Sequence, residues 1–140
     1  MITQPQTDAE ILATYPVMRQ LRPHVAEQDY LPTVRRMMAQ EGYRLAASHD
    51  ADATVRAVAG YRYMEMLYCG RILYVDDLIT DETARSGGHG KALLDWMKAE
   101  ARAHGCTEIH LDSASHRERA HRFYFREGMG ILGYHFREKL

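Results

Sequence analysis

The spacing of apolar residues predicts two helices in the first third of the chain, because apolar side chains recur there every three to four positions. In the first helix these positions are Ile11, Leu12, Tyr15 and Met18. We expect Asp8 to cap this helix, Pro16 to bend it and Pro23 to end it. A second helix is expected over residues 27–40, and Gly42 ends it.

The middle third of the chain changes to the composition of strands. The pattern predicts strands over residues 43–48, 55–67 and 72–80, joined as an antiparallel meander. Gly60 interrupts the second of them, and we expect a β-bulge at that position. Cys69 begins the turn into the third strand.

The last third alternates helices and strands. A helix follows a glycine-rich turn, and its apolar positions are Leu93, Leu94, Met97 and Ala101. Gly105 is expected to end that helix with a positive φ. Further on we expect a strand over residues 107–112, a helix over 117–127 and a final strand over 131–136. This order predicts an α/β (α+β) fold, in which a mixed central sheet continues as β-α-β-α-β after the meander and is flanked by helices.

Composition indicates an ordinary soluble protein of one domain, residues 1–140, with 46% hydrophobic and 26% charged residues. Eighteen Lys and Arg against nineteen Asp and Glu give a formal net charge of -1, which argues against non-specific binding to nucleic acid. No apolar run approaches the roughly 18 residues of a membrane span, and no signal-peptide pattern precedes Arg19. We therefore expect a cytoplasmic protein whose partners are neither nucleic acid nor membrane.

The cysteines and histidines give no linear metal-binding motif. Cys69 and Cys106 each lack a neighbouring cysteine, so we expect free thiols. None of the eight histidines belongs to an H-E-x-x-H motif or to another i, i+4 pair. The sequence therefore predicts no metal, and the histidines are interpreted as surface or capping residues.

The turn before the third predicted helix is the most informative segment. It consists of Arg85, Ser86, Gly87, Gly88, His89, Gly90 and Lys91. Glycines let a bound group approach the backbone, and the free N–H groups at a helix start attract phosphate. A tight turn without a ligand is the alternative. A P-loop does not fit, because Ala92 stands where that motif needs Ser or Thr. A dinucleotide-binding turn does not fit either, because Leu93 stands where its third glycine should be.

Two segments resemble the GNAT acetyltransferase superfamily. Arg85-x-x-Gly88-x-Gly90 resembles its Q/R-x-x-G-x-G/A signature, and residues 120–129 resemble its A-x-x-x-Y-x-x-x-G-F segment. The likeness covers about residues 40–135. It implies a GNAT fold that uses acetyl-CoA as co-substrate, with no metal.

The resemblance also implies which residues hold acetyl-CoA. Pantetheine would pair with the end of the third strand, and the pyrophosphate would lie on the N–H groups of the glycine turn. The residues implied are Leu78, Ile79, Thr80, Arg85, Ser86, Gly87, Gly88, His89, Gly90, Lys91, Arg117 and Tyr124. Arg117 stands where the family often has asparagine, and it is assigned to the CoA phosphates.

Four residues are candidates for proton transfer, one as the acid and three as the base. The resemblance implies that Tyr124 is the general acid, since a phenol of pKa ~10 is protonated at neutral pH; an aromatic that packs on its helix is the alternative. Asp76 and Asp77 are adjacent carboxylates in an apolar strand, so alternation predicts that they face opposite sides of the sheet. The resemblance implies an amine-proton acceptor at Asp76, with Asp77 second and Glu65 a weaker third. The alternative is one aspartate paired with an arginine and the other facing solvent.

The function implied is acetyl-CoA-dependent N-acetyl transfer to a primary amine within a ternary complex, without a covalent enzyme intermediate. A small cationic amine is expected, because we expect Asp76, Asp77, Asp81 and Glu82 to cluster near the mouth of the acceptor site. A non-catalytic module that binds CoA or acyl-CoA, as a sensor or for a partner protein, is the alternative function. Many family members pair, so a homodimer is an open possibility.

Overall fold

The computed structural model describes residues 1–140, which contain one sheet of five strands and four helices. The elements are β1 (Ile2–Thr3), α1 (Asp8–Leu21), α2 (Glu27–Glu41), β2 (Arg44–His49), β3 (Val55–Met66), β4 (Gly70–Thr80), a 3-10 turn (Glu82–Ala84), α3 (His89–Ala103), β5 (Glu108–Leu111) and α4 (Glu118–Arg126). The chain divides into two compact units, Met1–His110 and Leu111–Leu140. None of the helices combines the length and the apolar character that crossing a membrane requires.

The sheet is mixed, and its strands lie in chain order. The strands from β1 to β4 pair antiparallel, as the predicted meander requires. The start of β5 lies beside the start of β4, as a hydrogen bond of 3.0 Å from Thr107 N–H to the carbonyl of Arg71 shows. These two strands therefore run parallel, with α3 as the crossover between them.

Helices cover both faces of the sheet in the first unit. On one face, α1 and α2 bury Ile11, Tyr15 and Val34 against Leu45 and Val58. On the other face, α3 buries all four of its predicted apolar residues, Leu93, Leu94, Met97 and Ala101. Trp96 of α3 also meets the ring of Tyr61 edge-on, with 5.9 Å between ring centroids.

The start of α1 differs from the prediction in its capping residue. Thr7 is the cap: its hydroxyl accepts from the N–H of Glu10, while the Glu10 carboxylate accepts from the N–H of Thr7. Asp8 is instead the first residue of the helix. This reciprocal arrangement satisfies two backbone donors at once, which Asp8 one position later would not do.

The second unit contains α4 and the C-terminal segment. Gly128 ends the helix as predicted, with φ of +86° and a hydrogen bond from Met129 N–H to the carbonyl of Tyr124. The predicted strand over residues 131–136 is wrong, since the chain beyond α4 forms neither helix nor strand. Alternating apolar residues such as Tyr134 and Phe136 suit a strand, but a strand also needs a neighbouring strand that hydrogen-bonds to its backbone. The side chains of Tyr134 and Phe136 are both exposed.

A β-bulge opposite Gly60 shapes the middle of the sheet. Gly60 pairs with Asp77, whereas the next residue, Tyr61, pairs with Val75, so Asp76 is the extra residue. The bulge predicted at Gly60 is thus present, but its extra residue belongs to β4. A bulge interrupts the alternation of side chains, and the prediction that the two aspartates face opposite sides is wrong.

Tyr43 shows that both carboxylates lie on the face covered by α1 and α2. Its hydroxyl donates to Asp77 Oδ2 at 2.8 Å. Its ring lies 5.8 Å from the guanidinium carbon of Arg62, which is ion-paired with Asp76. A Cβ at Gly60 would lie 1.9 Å from the Tyr43 hydroxyl oxygen and 2.6 Å from Asp77 Oδ2. Glycine is therefore required here by the close approach of these side chains.

We expect Gly60→Ala to lower the free energy of unfolding by about 2 kcal/mol, within the range for overpacked cores. The added methyl group forces the Tyr43 hydroxyl away and removes its bond to Asp77. Urea unfolding measures the loss. Gly130→Ala is the control, because no atom lies within 4 Å of a Cβ at that position. In a Tyr43→Phe background, which lacks the clashing oxygen, Gly60→Ala should cost less. An equal cost in both backgrounds would show that the hydroxyl oxygen does not cause the loss of stability.

Candidate functional site

The glycine turn leaves the start of α3 open to an anion. Gly88 precedes the helix with φ of +79°, and Ser86 also has a positive φ of +73°. No side chain caps the helix, and its first turn contains no acidic residue. The first N–H groups of a helix have no acceptor within it, and they carry the positive end of the helix dipole. The turn is therefore suited to bind phosphate.

Close packing explains two of the glycines. A Cβ at Gly90 would lie 2.8 Å from Thr80 Oγ1, so glycine lets the first turn of α3 pack against the end of β4. A Cβ at Gly87 would lie 3.1 Å from the carbonyl oxygen of Ala84. The position of α3 is also fixed by His89, whose Nδ1 lies 2.9 Å from the hydroxyl of Ser48.

The charges around the turn are partly neutralised. Lys91 Nζ lies 2.6 Å from Asp95, while Arg85 is exposed. Asp81 accepts from Thr83 N–H and Gln20 and lies 3.3 Å from Arg56. These bonds, led by that from Thr83, lower the pKa of Asp81.

Hydrogen bonds also occupy the neighbour of Asp81. Glu82 N–H donates to the side chain of Gln20 at 3.0 Å. Asp81 caps the 3-10 turn with its carboxylate. Asp81 therefore has a structural role in this turn, whereas the hydrogen bond of Glu82 involves only its backbone.

The end of β4 offers backbone groups on one edge. Its residues Leu78, Ile79 and Thr80 pair with β3 on the other edge. Strand β5 has four residues and begins beside Arg71, whereas β4 has eleven. At about 3.3 Å per residue, β5 ends well before β4 does. The last residues of β4 therefore extend beyond β5, and an extended ligand could pair with them there.

Both aspartates of the bulge are paired with arginines. Arg62 Nε lies 3.0 and 3.2 Å from the two oxygens of Asp76, and Arg22 Nε lies 2.8 Å from Asp77. Arg22 also donates to the backbone carbonyl of Asp76 at 3.0 Å. Burial raises the pKa of Asp76, although Arg62 opposes the shift. The alternative of one paired and one solvated aspartate is wrong, since each has its own guanidinium.

A cavity of about 180 Å³ lies beside Asp77, between the sheet and the first two helices. It is lined by Tyr15, Met18, Arg19, Arg22, Val25, Tyr30, Thr33, Val34, Met37, Tyr43 and Asp77. Burial raises the pKa of Tyr30 to about 12 and that of Tyr43 well above its usual range. Both phenols are therefore protonated at neutral pH. Tyr43 donates to Asp77, whereas the hydroxyl of Tyr30 shares a hydrogen bond of 2.7 Å with the hydroxyl of Thr14. Reasoning from the sequence missed these tyrosines and Arg22. The one signal for them was Gly60, because a glycine inside a strand can mark the close approach of another side chain.

The structure separates Glu65 from the aspartates. It is exposed, and its backbone lies opposite that of Arg71 in the β3–β4 register, next to the turn between these strands. It is five residues from Gly60, which is about 17 Å along the strand. It is therefore the weakest of the three acidic candidates on position as well.

Tyr124 lies on α4 in the second unit and is 9% exposed. Burial raises its pKa, and the neighbouring Arg117, which precedes the helix, opposes that shift. The phenol is thus protonated at neutral pH, as a proton donor must be. Phe125, the next residue, is by contrast 55% exposed.

Comparison with known proteins gives consistent matches. The profile of the acetyltransferase (GNAT) family matches residues 9–131. An uncharacterized N-acetyltransferase, YhdJ of Bacillus subtilis (strain 168), is 35% identical over 126 residues, which cover 89% of this chain and 88% of that protein.

Solved structures share the fold at lower identity. An aminoglycoside N-acetyltransferase, AAC(6')-Iy in complex with CoA, superposes with a TM-score of 0.86 at 13% identity, covering 100% of this chain and 93% of the other. Glucosamine-6-phosphate N-acetyltransferase from Arabidopsis thaliana gives 0.77 at 14% identity, covering 99% and 97%. The BH1408 tetramutant from Bacillus halodurans gives 0.83 at 20% identity, covering 100% and 99%.

We expect Gly90→Ala to lower the melting temperature, because its Cβ would press on Thr80 Oγ1 and displace the start of α3. Differential scanning calorimetry measures the change. Thr80→Ala removes the clashing oxygen, so the double variant should melt close to the Thr80→Ala variant alone. A double variant as unstable as the sum of both changes would contradict the contact.

Proposed function

The chain belongs to the acetyltransferase (GNAT) family, and on that premise we propose that it transfers the acetyl group of acetyl-CoA to a small primary amine. The observation that carries the proposal is the uncapped start of α3 directly against the end of β4. An anion on the turn and an extended chain along β4 would then lie end to end. A pyrophosphate joined to pantetheine has that shape.

The chain supplies two kinds of backbone contact to this co-substrate. The N–H groups of Ser86 and of residues 88–91 receive the pyrophosphate, whereas that of Gly87 donates to the carbonyl of Ala84 at 3.2 Å. Arg85 adds positive charge at the exposed side. The backbone of residues 78–80 pairs with the pantetheine amides as an added strand would. Arg117, which precedes α4, is proposed for the remaining phosphate contacts.

The cavity beside Asp77 is the proposed acceptor site. At about 180 Å³ it is smaller than the roughly 300–1,000 Å³ of pockets for drug-sized ligands. Aromatic side chains form much of its wall, and Asp77 is its carboxylate. These features support a small amine, cationic in water, with an apolar body.

Exposure distinguishes the two aspartates as partners for that amine. The side chain of Arg22 is 42% exposed, whereas that of Arg62 is 20% exposed and Arg62 makes several bonds to Asp76. The side chain of Asp77 is itself only 12% exposed, but Arg22 is the more accessible of the two arginines and makes fewer bonds to its carboxylate. An ammonium group can therefore replace Arg22 at Asp77 more readily than Arg62 at Asp76. We assign Asp77 to contact with the amine and keep Asp76 as the candidate with the raised pKa for accepting its proton.

The proposed reaction proceeds in one complex. The thioester of acetyl-CoA supplies the activated acetyl group. Once an aspartate has taken a proton from the ammonium, the amine nitrogen forms the new C–N bond as the C–S bond breaks. The nitrogen then releases its second proton to solvent, which leaves a neutral amide. Tyr124 donates its phenolic proton to the departing thiolate and is reprotonated from solvent.

The positions of the cysteines support direct transfer to the amine. Cys106 is buried, and Cys69 precedes β4, about 33 Å along the strand from Thr80. A thioester on either cysteine would need a different approach of the acetyl donor. The single domain over residues 1–140, the homodimer and the cytoplasmic location remain predictions.

A screen of small primary amines, monitored by release of free CoA thiol, tests the proposal. We expect turnover with at least one small amine, and a basic peptide serves as the contrasting acceptor.

Asp77→Asn tests the carboxylate that is assigned to contact with the amine. The variant keeps a hydrogen-bond acceptor for Tyr43 but removes the charge. The KM for the amine should therefore rise about tenfold or more, in line with the 1.5–3 kcal/mol of a charged hydrogen bond. Asp52→Asn, on an exposed turn, is the charge-matched control.

Two outcomes of this screen would contradict the proposal. Acetylation of peptide N-termini alone would overturn the small-amine acceptor. If CoA raises the melting temperature but no amine promotes thiol release, the chain is instead the non-catalytic CoA-binding module.

Tyr124→Phe tests the general acid. Loss of a positioned proton donor should lower kcat about 100-fold, with the KM for acetyl-CoA nearly unchanged. Tyr134→Phe is the matched control, since Tyr134 is 87% exposed and lies in the same unit. A Tyr124→Phe enzyme with the kcat of the parent protein would remove Tyr124 from the chemistry.

A further inference from the structure

Three side chains with different donor atoms meet where β4 and β5 begin. The Cys69 thiol, the Glu108 carboxylate and the His110 imidazole each offer one atom, and these atoms lie within 4.8 Å of one another. All three residues belong to the first unit. The acetyl-transfer chemistry proposed above uses none of them.

The backbone fixes this group from both sides. Glu108 and His110 are two residues apart on β5, so their side chains project from one face. Cys69 lies on the turn before β4, and Thr107 Oγ1 donates to its carbonyl at 3.4 Å. The thiol is therefore held beside the two β5 side chains by contacts that do not involve its sulfur.

The donor set matches the preferences of zinc. Thiolate, imidazole and carboxylate are its three usual protein ligands, at about 2.0–2.3 Å from the metal. Tetrahedral geometry with those lengths separates neighbouring donors by roughly 3.3–3.6 Å. His110 Nε2 lies 2.5 Å from Glu108 Oε2, and the largest separation in the group is below 4.8 Å. Shifts of about 1 Å, within the freedom of side-chain rotation, would bring all three to ligand positions.

The other nitrogen of His110 has a partner as well. Its Nδ1 lies 3.5 Å from the Tyr68 hydroxyl. Metal-bound histidines usually donate their second ring N–H to an oxygen, which orients the ring. Arg71, the nearby cation on β4, is instead held by the carbonyl of His104 and the ring of Tyr63.

We propose that Cys69, Glu108 and His110 bind one zinc ion, with water as the fourth ligand. Binding removes the proton of the Cys69 thiol and replaces the hydrogen bond between His110 and Glu108 with two bonds to the metal. The ion would link the β3–β4 turn to β5. Because β4 extends roughly 33 Å from this turn to Thr80, the zinc takes no part in acetyl transfer.

The test uses the full chain without a polyhistidine tag. We expect close to one zinc per chain by mass spectrometry after dialysis, and a melting temperature that rises with added zinc. Cobalt(II) reports the geometry: tetrahedral coordination gives intense visible bands, and a bound thiolate gives a charge-transfer band in the near ultraviolet. Cys69→Ser should lose the charge-transfer band, and Cys106→Ser, the matched control, should keep it.

Two further variants separate a ligand from a neighbour. His110→Gln should weaken cobalt binding more than the 10- to 100-fold typical of changes outside the ligand set, whereas Tyr68→Phe should fall within or below that range. Zinc bound equally by the parent protein and Cys69→Ser would overturn the proposal. So would a parent protein that binds no stoichiometric zinc. Neither result depends on whether the protein transfers acetyl groups.

Discussion

The contact between the Tyr43 hydroxyl and Asp77, over the bare backbone of Gly60, is the constraint on which the centre of the structure depends. A bulge in β4 brings two consecutive carboxylates to one face, and Gly60 leaves the room for Tyr43 to reach one of them. A regular strand would have sent Asp76 to the face covered by α3, away from Arg62. The bulge therefore determines which helices can form a pocket with the carboxylates.

Burial determines the direction of the hydrogen bond between Tyr43 and Asp77. Desolvation holds Tyr43 in its protonated form, so the phenol can only donate to Asp77 while that carboxylate stays charged. Arg22 and Arg62 complete the hydrogen bonding from the outer side. A buried carboxylate without such partners would be strongly destabilised. The same bonds that stabilise the sheet thus orient the acidic groups that the reaction would use.

Local patterns predicted the parts of the structure that local physics determines. The glycine turn, the four buried residues of α3 and the positive φ at Gly105 follow from helix periodicity and from the freedom of glycine, which act over a few residues. The capping residue was misplaced by one position, because Thr7 and Asp8 are both good caps and the reciprocal bond with Glu10 decides between them.

Features that depend on pairing between distant segments could not be predicted from the sequence. The faces of Asp76 and Asp77 depend on a register shift against β3, and the pocket depends on Tyr30 and Tyr43, more than 30 residues from the bulge. The group formed by Cys69, Glu108 and His110 joins residues about 40 positions apart, which no linear ligand motif describes. The strand expected at 131–136 failed for the converse reason, since its pattern is local but a strand requires a partner.

The pairing of charges changes what the acidic residues can contribute to substrate choice. Asp76, Asp77 and Asp81 each have an arginine within 3.3 Å. The pocket itself is lined by Arg19 and Arg22 against the single carboxylate of Asp77, and it therefore does not attract cations from a distance. Long-range attraction falls off over a Debye length of about 8 Å at physiological salt, and paired charges weaken it further. An amine that replaces Arg22 exchanges one cation for another at the same carboxylate. Selectivity must then come from the aromatic walls and the volume of the cavity, because the electrostatic gain at Asp77 is nearly the same for every primary amine.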